Sequence, residues 1–189
     1  MTDRVRVAIV GGGIVGGSVL FALAKRGWTD TLLLERHALT SGSTWHAAGN
    51  ATFFGHYTSI TRLFVESVAT YLETETESDP SVGFHPAGSL RLATSAAELA
   101  AYQRLVPMYE EMGVPYHVIG PAEVAEIHPL LNVECLFGAA HTPTDGHCDS
   151  SGATHALAAA ARKRGARGQT SLPRPRDPAS RRRLGARDR

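Results

Sequence analysis

Val7-Ala8-Ile9-Val10-Gly11-Gly12-Gly13-Ile14-Val15-Gly16 decides the fold, and Thr31-Leu32-Leu33-Leu34 follows it and ends on an acid, Glu35. The apolar run from Val5 to Val10 has the composition of a buried parallel strand. Gly11 suits the tight turn after it, Gly13 lets the backbone approach a pyrophosphate, and Gly16 lets the next helix pack on the sheet. The helix start at Ile14 and Val15 offers free N–H groups and a positive dipole end to phosphates. Glu35 lies at the distance at which an acid accepts hydrogen bonds from ribose hydroxyls. A strand before the glycines, a helical pattern after them and the acid together predict a dinucleotide-binding βαβ unit.

Outward from this unit, the helix is expected over 14–26, with Val15, Val19, Leu20 and Leu23 recurring on one side and Gly27 stopping it. A second helix is expected over 59–75, its apolar stripe made by Ile60, Leu63, Phe64, Ser67, Val68, Tyr71 and Leu72. From Gly83 the character changes. Residues 88–93 alternate as a half-buried strand, 96–112 read as one helix ended by Gly113, and 116–119 read as a short strand. Residues 121–127 read as a short helix with Pro121 at its first position. A strand is expected at 137–140 and an alanine-rich helix at 149–164.

Composition narrows the function. A net charge of +1 over 189 residues gives no reason to expect nucleic acid or an anionic membrane as partner. No segment is long and apolar enough to span a bilayer, and the first strand is too short to be a signal peptide. Cys135 and Cys148 form neither a disulfide framework nor a metal motif, so they read as reduced thiols. A soluble, cytoplasmic protein without a metal is the expectation.

After Ala166 the composition breaks. Residues 167–189 hold eight arginines and three prolines and almost no large apolar side chain, so no face can be buried and disorder is expected. The strand that normally follows such an alanine-rich helix is expected to be missing. A basic tail for an acidic partner is one reading. A shifted reading frame or truncated gene text accounts better for the abrupt change.

Ser41-Gly42-Ser43-Thr44-Trp45-His46-Ala47-Ala48-Gly49 comes just after the ribose-binding acid, which places it near the pyrophosphate. Its small residues allow close backbone approach, and Ser43 and Thr44 suit donation to phosphate oxygens. His46, beside Trp45 in a glycine-flanked loop, stands out from an ordinary surface histidine. This GSTWHAAG stretch, with VGGGIVGGS upstream and GFHPAGSLRLATS, HPLLN and DGHCD downstream, resembles the dimethylglycine dehydrogenase and sarcosine dehydrogenase family of D-amino-acid-oxidase-like flavoproteins. The resemblance runs from Val5 to Ala166, and the STWHAAG element is its specific part.

The resemblance implies an α/β fold: a Rossmann-like FAD-binding domain of the glutathione-reductase/D-amino-acid-oxidase type with part of an α+β substrate domain, incomplete as a whole. FAD-binding segments would span 1–80 and 141–166, with the substrate region at 81–140. In that family the histidine of this element carries FAD covalently through the 8α-methyl carbon, which makes His46 the attachment residue. An imidazole has a neutral, nucleophilic form near physiological pH, as that role needs. Cofactor contacts are implied at Gly11, Gly13, Ile14, Val15, Gly16, Glu35, Ser43, Thr44, Trp45 and Ala48, with Arg36 or His37 near the adenine.

The implied reaction is oxidation of an N-methylated glycine such as dimethylglycine or sarcosine, with hydride passing from the N-methyl carbon to flavin N5. Tetrahydrofolate enters only with a further C-terminal domain. Oxygen, an electron-transfer flavoprotein and a quinone stay open as electron acceptors. His56, His85, His147 and Tyr57 are weak candidates for acid–base work, and no catalytic base is assigned. Asp145, Gly146 and Asp149 are assigned to the fold. Two other readings stay open: an amine oxidase with non-covalent FAD, and a non-catalytic remnant or nucleotide-binding subunit of a split enzyme.

Overall fold

The computed structural model describes residues 4–79 and 81–170. In chain order the elements are β1 (Val7–Val10), α1 (Ile14–Lys25), β2 (Thr31–Glu35), a 3-10 turn (Thr44–His46), β3 (Asn50–Ala51), α2 (Thr58–Glu77), β4 (Ser89–Ala93), α3 (Ala96–Gln103), α4 (Val106–Glu111), β5 (His117–Ile119), α5 (Pro121–Ile127), β6 (Gly138–Thr142), β7 (Gly146–His147), α6 (Ser150–Lys163) and β8 (Arg167–Thr170).

β1, β2 and β8 form a parallel sheet in the order β1-β2-β8, with Val7 beside Thr31 and Leu32 beside Arg167. α1 links β1 to β2 and buries Leu20, Phe21 and Ala24. α6 lies along α1, and its alanines give the reason for its composition. Ala153, Ala156, Ala160 and Ala161 are buried, and small side chains let two helices approach closely. Ile9 and Leu33 from the sheet, Leu20 and Phe21 from α1, and Leu157 from α6 share one core. Among the described residues β1 has β2 as its one sheet neighbour, and Val10 at its end is 81% exposed.

A second sheet, β4-β6-β5, is antiparallel, with Ser89 opposite Thr142 and His117 opposite His141. One of its faces packs Ala140 against Tyr109 and Tyr116, whose rings stack at 4.2 Å. β3 and β7 pair antiparallel, Asn50 with His147.

Three expectations are corrected. The single helix over 96–112 is two helices, because Pro107 sits at the start of α4; in mid-helix it would lack a donor and strike the carbonyl four residues back. The stripe on α2 is only partly buried. Val68 is buried, whereas Leu63 is 60% exposed beside a groove between α1 and α2 lined by Phe21, Lys25, Glu66 and Tyr71. The strand expected to be missing after Ala166 is present as β8, so the arginine-rich tail does not begin at Arg167. A parallel ladder needs only backbone donors and acceptors, which any non-proline residue brings, and the Arg167 guanidinium meets Asp30 at 3.0 Å. The rest of the expected tail lies outside the described residues.

Candidate nucleotide and flavin site

The three glycines after β1 form the turn the sequence predicts. Gly11 has φ +107° and donates its N–H to the Leu34 carbonyl at 2.8 Å, so the turn is tied to the end of β2. A Cβ on Gly16 would stand 1.9 Å from the Gly11 carbonyl oxygen, which fixes α1 hard against the turn. Gly12, which fills a variable position of the motif, was not singled out from sequence. A Cβ there would come within 2.6 Å of Leu39 and 2.9 Å of the Glu35 Cβ, so only glycine fits. The run of three glycines was the available signal.

Glu35 closes the same corner. The Gly12 N–H donates to Oε2 at 2.6 Å and the His37 N–H to Oε1 at 2.8 Å. These two backbone bonds, that from His37 foremost, hold its carboxyl below the usual carboxylate range. A carboxylate has about four lone-pair sites, so it keeps capacity for ribose hydroxyls. Arg36 and His37 are exposed beside it.

Thr44 brings the histidine loop to the start of α1. It is buried, and its Oγ1 accepts the Ile14 N–H at 3.1 Å while its hydroxyl hydrogen stays free to donate elsewhere. Ser43, Trp45, His46 and Ala48 around it are exposed. The Trp45 and His46 rings lie 3.7 Å apart. Downstream, Ser150 Oγ donates to the Ala47 carbonyl at 3.3 Å and the Cys148 N–H to that of Gly49 at 2.8 Å. The loop is thus held at both ends and presents His46 between them.

These residues fit FAD. α1 is twelve residues long, its N-cap is Gly13 with no side-chain cap, and no acid stands in its first turn, although Val15 there is 74% exposed. Its first amides and dipole therefore meet no side-chain anion, which suits a pyrophosphate. The Glu35 carboxylate at the end of β2, able to accept from hydroxyls, and the exposed His46 stand beside these amides. The glycines, Ile14, Val15, Glu35, Thr44 and His46 are gathered at the carboxyl end of the parallel sheet, where nucleotides bind in open α/β folds.

Of the weaker candidates, His147 lies nearest to the loop, through its pairing with Asn50. His85 and His147 are paired through both backbone bonds, at 2.8 and 3.0 Å, with rings 5.3 Å apart. His56 stands edge-on to Phe54 at 5.1 Å, and both it and Tyr57 are exposed. Among the described residues no group of three or more His, Cys, Asp or Glu fits a metal ion, and no helix is long and apolar enough to cross a membrane. Cys135 and Cys148 are free thiols.

Comparison with known proteins gives the family. The chain is 40% identical to human (Homo sapiens) mitochondrial dimethylglycine dehydrogenase over 164 residues, which is 87% of this chain and 19% of that protein. It is 37% identical to human mitochondrial sarcosine dehydrogenase over 176 residues, 88% of this chain and 18% of that protein. The chain therefore spans about a fifth of the length of these relatives. Among solved structures, L-proline dehydrogenase from P. horikoshii superposes with a TM-score of 0.80 at 30% identity, covering 90% of this chain and 45% of that one. Residues 6–170 match the family model for the FAD dependent oxidoreductases, and the chain belongs to that family.

Proposed function

We propose that this chain holds FAD, joined covalently through His46, for the oxidative demethylation of an N-methylated glycine such as dimethylglycine or sarcosine. The observation that carries the reading is the position of His46. It is exposed on a 3-10 turn whose first residue, Thr44, is bonded to the first amide of α1. The names of the two dehydrogenases to which the chain is similar support the substrate class.

In this reading the N-terminus of α1 and Ser43 hold the pyrophosphate, and Glu35 holds the ribose. Arg36 or His37 borders the adenine, and Trp45 and Ala48 flank the attachment point. The His46 imidazole would hold the flavin through its 8α-methyl carbon, its neutral form serving as the nucleophile. Bound flavin supplies the hydride acceptor for the substrate. The substrate amine becomes an iminium; water adds to it, and the carbinolamine releases formaldehyde and the demethylated amine. Tetrahydrofolate takes the one-carbon unit instead where a folate domain is joined to the enzyme.

Intact-mass measurement of the denatured chain after expression with FAD tests the reading, beside His46→Ala. An FAD-sized adduct on the wild type and none on the variant is the expected result. FAD that is bound but released on denaturation would move the assignment to a non-covalent oxidase. No flavin at all would leave a non-catalytic chain.

A further inference from the structure

Asp145 is 1% exposed, yet four donors converge on its carboxylate. The Phe53 N–H reaches Oδ1 at 2.7 Å, and the hydroxyls of Thr52 and Ser89 reach Oδ2 at 2.7 and 2.5 Å. The Arg91 guanidinium stands 3.4 Å from Oδ2 and also donates to Thr52 Oγ1 at 2.8 Å, with its charge 4.0 Å over the Phe54 ring. Only an acceptor-only group satisfies four donors at once, which an amide or a hydroxyl cannot do. A buried charge is tolerable here because it is paired and fully hydrogen-bonded.

The partners fall on two sides. Ser89 and Arg91 belong to β4, whereas Thr52 and Phe53 directly follow β3, the strand that leaves the His46 loop. The residues after Asp145 continue the same hold. Gly146 and His147 pair with β3, the Cys148 N–H takes the Gly49 carbonyl and Ser150 takes that of Ala47. One stretch of chain therefore grips the downstream limb of the loop from Ala47 to Phe53, and its single buried charge sits at the far end.

We propose that Asp145 is a positioning residue for the flavin-attachment loop: through Thr52 and Phe53 it fixes the downstream limb, so that His46 is held at its target. The proposal rests on the His46 reading above. Positioning matters because a reacting group displaced by about 1 Å loses up to about a hundredfold in rate.

The test uses the full chain with FAD as the probe. The rate of adduct formation is followed by intact mass, and amide hydrogen exchange is mapped in parallel. Asp145→Asn and Thr52→Val are expected to attach FAD about tenfold more slowly and to exchange faster over 47–53. Exchange in β1, α1 and β2 and the amount of FAD bound should stay at wild-type levels. Ser89→Ala, which removes only the β4-side hydroxyl, should leave the attachment rate unchanged.

Attachment at the wild-type rate in Asp145→Asn overturns the proposal, as does equal slowing by Ser89→Ala and Thr52→Val, the mark of packing alone. Should Asp145→Asn fail to fold, Thr52→Val against Ser89→Ala decides by itself. A wild type that binds FAD without attaching it refutes the His46 reading, and the exchange arm then decides the anchoring. Selective loosening of 47–53 by Thr52→Val upholds it, and unchanged exchange overturns it.

Discussion

The Ile14 amide donates to the Thr44 hydroxyl oxygen across 3.1 Å, and this bond joins the start of α1 to the loop that carries His46. It does the work of a helix cap, because Gly13 in the N-cap position has no side chain to offer. Thr44→Val keeps the shape and removes the acceptor. A loss of about 1 kcal/mol in urea unfolding is expected, together with weaker FAD binding, and Thr44→Ser should restore most of both. A Thr44→Val chain with wild-type stability and FAD affinity would show that the bond is incidental.

Gly16 and Gly42 give a matched pair. A Cβ on Gly16 would lie 1.9 Å from the Gly11 carbonyl oxygen, whereas one on Gly42 meets nothing within 4 Å. The obstacle at Gly16 is backbone, which cannot swing aside as a side chain can. Gly16→Ala is expected to cost about 1–3 kcal/mol or more by displacing α1 from the turn. Gly42→Ala should stay within about 0.5 kcal/mol of wild type. Equal urea midpoints for the two variants would contradict this account of the turn.

Glu35 links stability to pH. Its folded carboxyl titrates below its ordinary value of 4.5, chiefly through the His37 and Gly12 amides. Its contribution is therefore complete above about pH 4.5, shrinks as the pH falls below that value and is gone once the pH passes below the lowered folded value. Glu35→Gln puts an amide donor where one of the two N–H groups needs an acceptor. Unfolding followed from pH 7 to pH 3 should show a flatter acid limb for this variant. At pH 7 its FAD affinity should fall by about tenfold or more, the cost of hydrogen bonds lost to a charged acceptor. An unchanged acid limb would place the pH dependence on other carboxylates, of which Glu75, bonded to Ser81 and Val82, is the next to test.

What the sequence makes legible is local. The glycine turn, the acid at the end of β2 and Pro121 at the head of α5 each act within a few residues, and each stands where its chemistry predicts. Asp145 was assigned to the fold, but its partners lie 54 to 93 residues away, and nothing in the Asp145-Gly146-His147 turn announces them. Pro107 was visible, yet strong helical periodicity on both sides of it masked the break. β8 was hidden for a different reason. Arg167-Gly168-Gln169-Thr170 has no strand-like apolar pattern, and its place is set by the free edge of β2, which only the assembled sheet provides.

Tyr109 shows what such distant partners are worth. Its side chain is fully buried, and its Oη accepts the Gly55 N–H at 2.8 Å while facing the Gly55 and Phe53 carbonyls at 3.1 and 3.3 Å. Burial pushes its ionisation above the usual tyrosine range, so the hydroxyl stays protonated and able to donate at neutral pH. Tyr109→Phe removes that oxygen and leaves the buried Gly55 amide without its acceptor, which costs about 1–3 kcal/mol. Tyr116 stacks on Tyr109, but its own hydroxyl makes one longer bond, 3.3 Å to the Tyr102 carbonyl. Tyr116→Phe should therefore cost about 1 kcal/mol or less. Both variants keep the ring, so urea unfolding of the two compares polar satisfaction at equal ring packing. The larger loss is expected for Tyr109→Phe, and equal losses would overturn the assignment of the cost to the Gly55 amide.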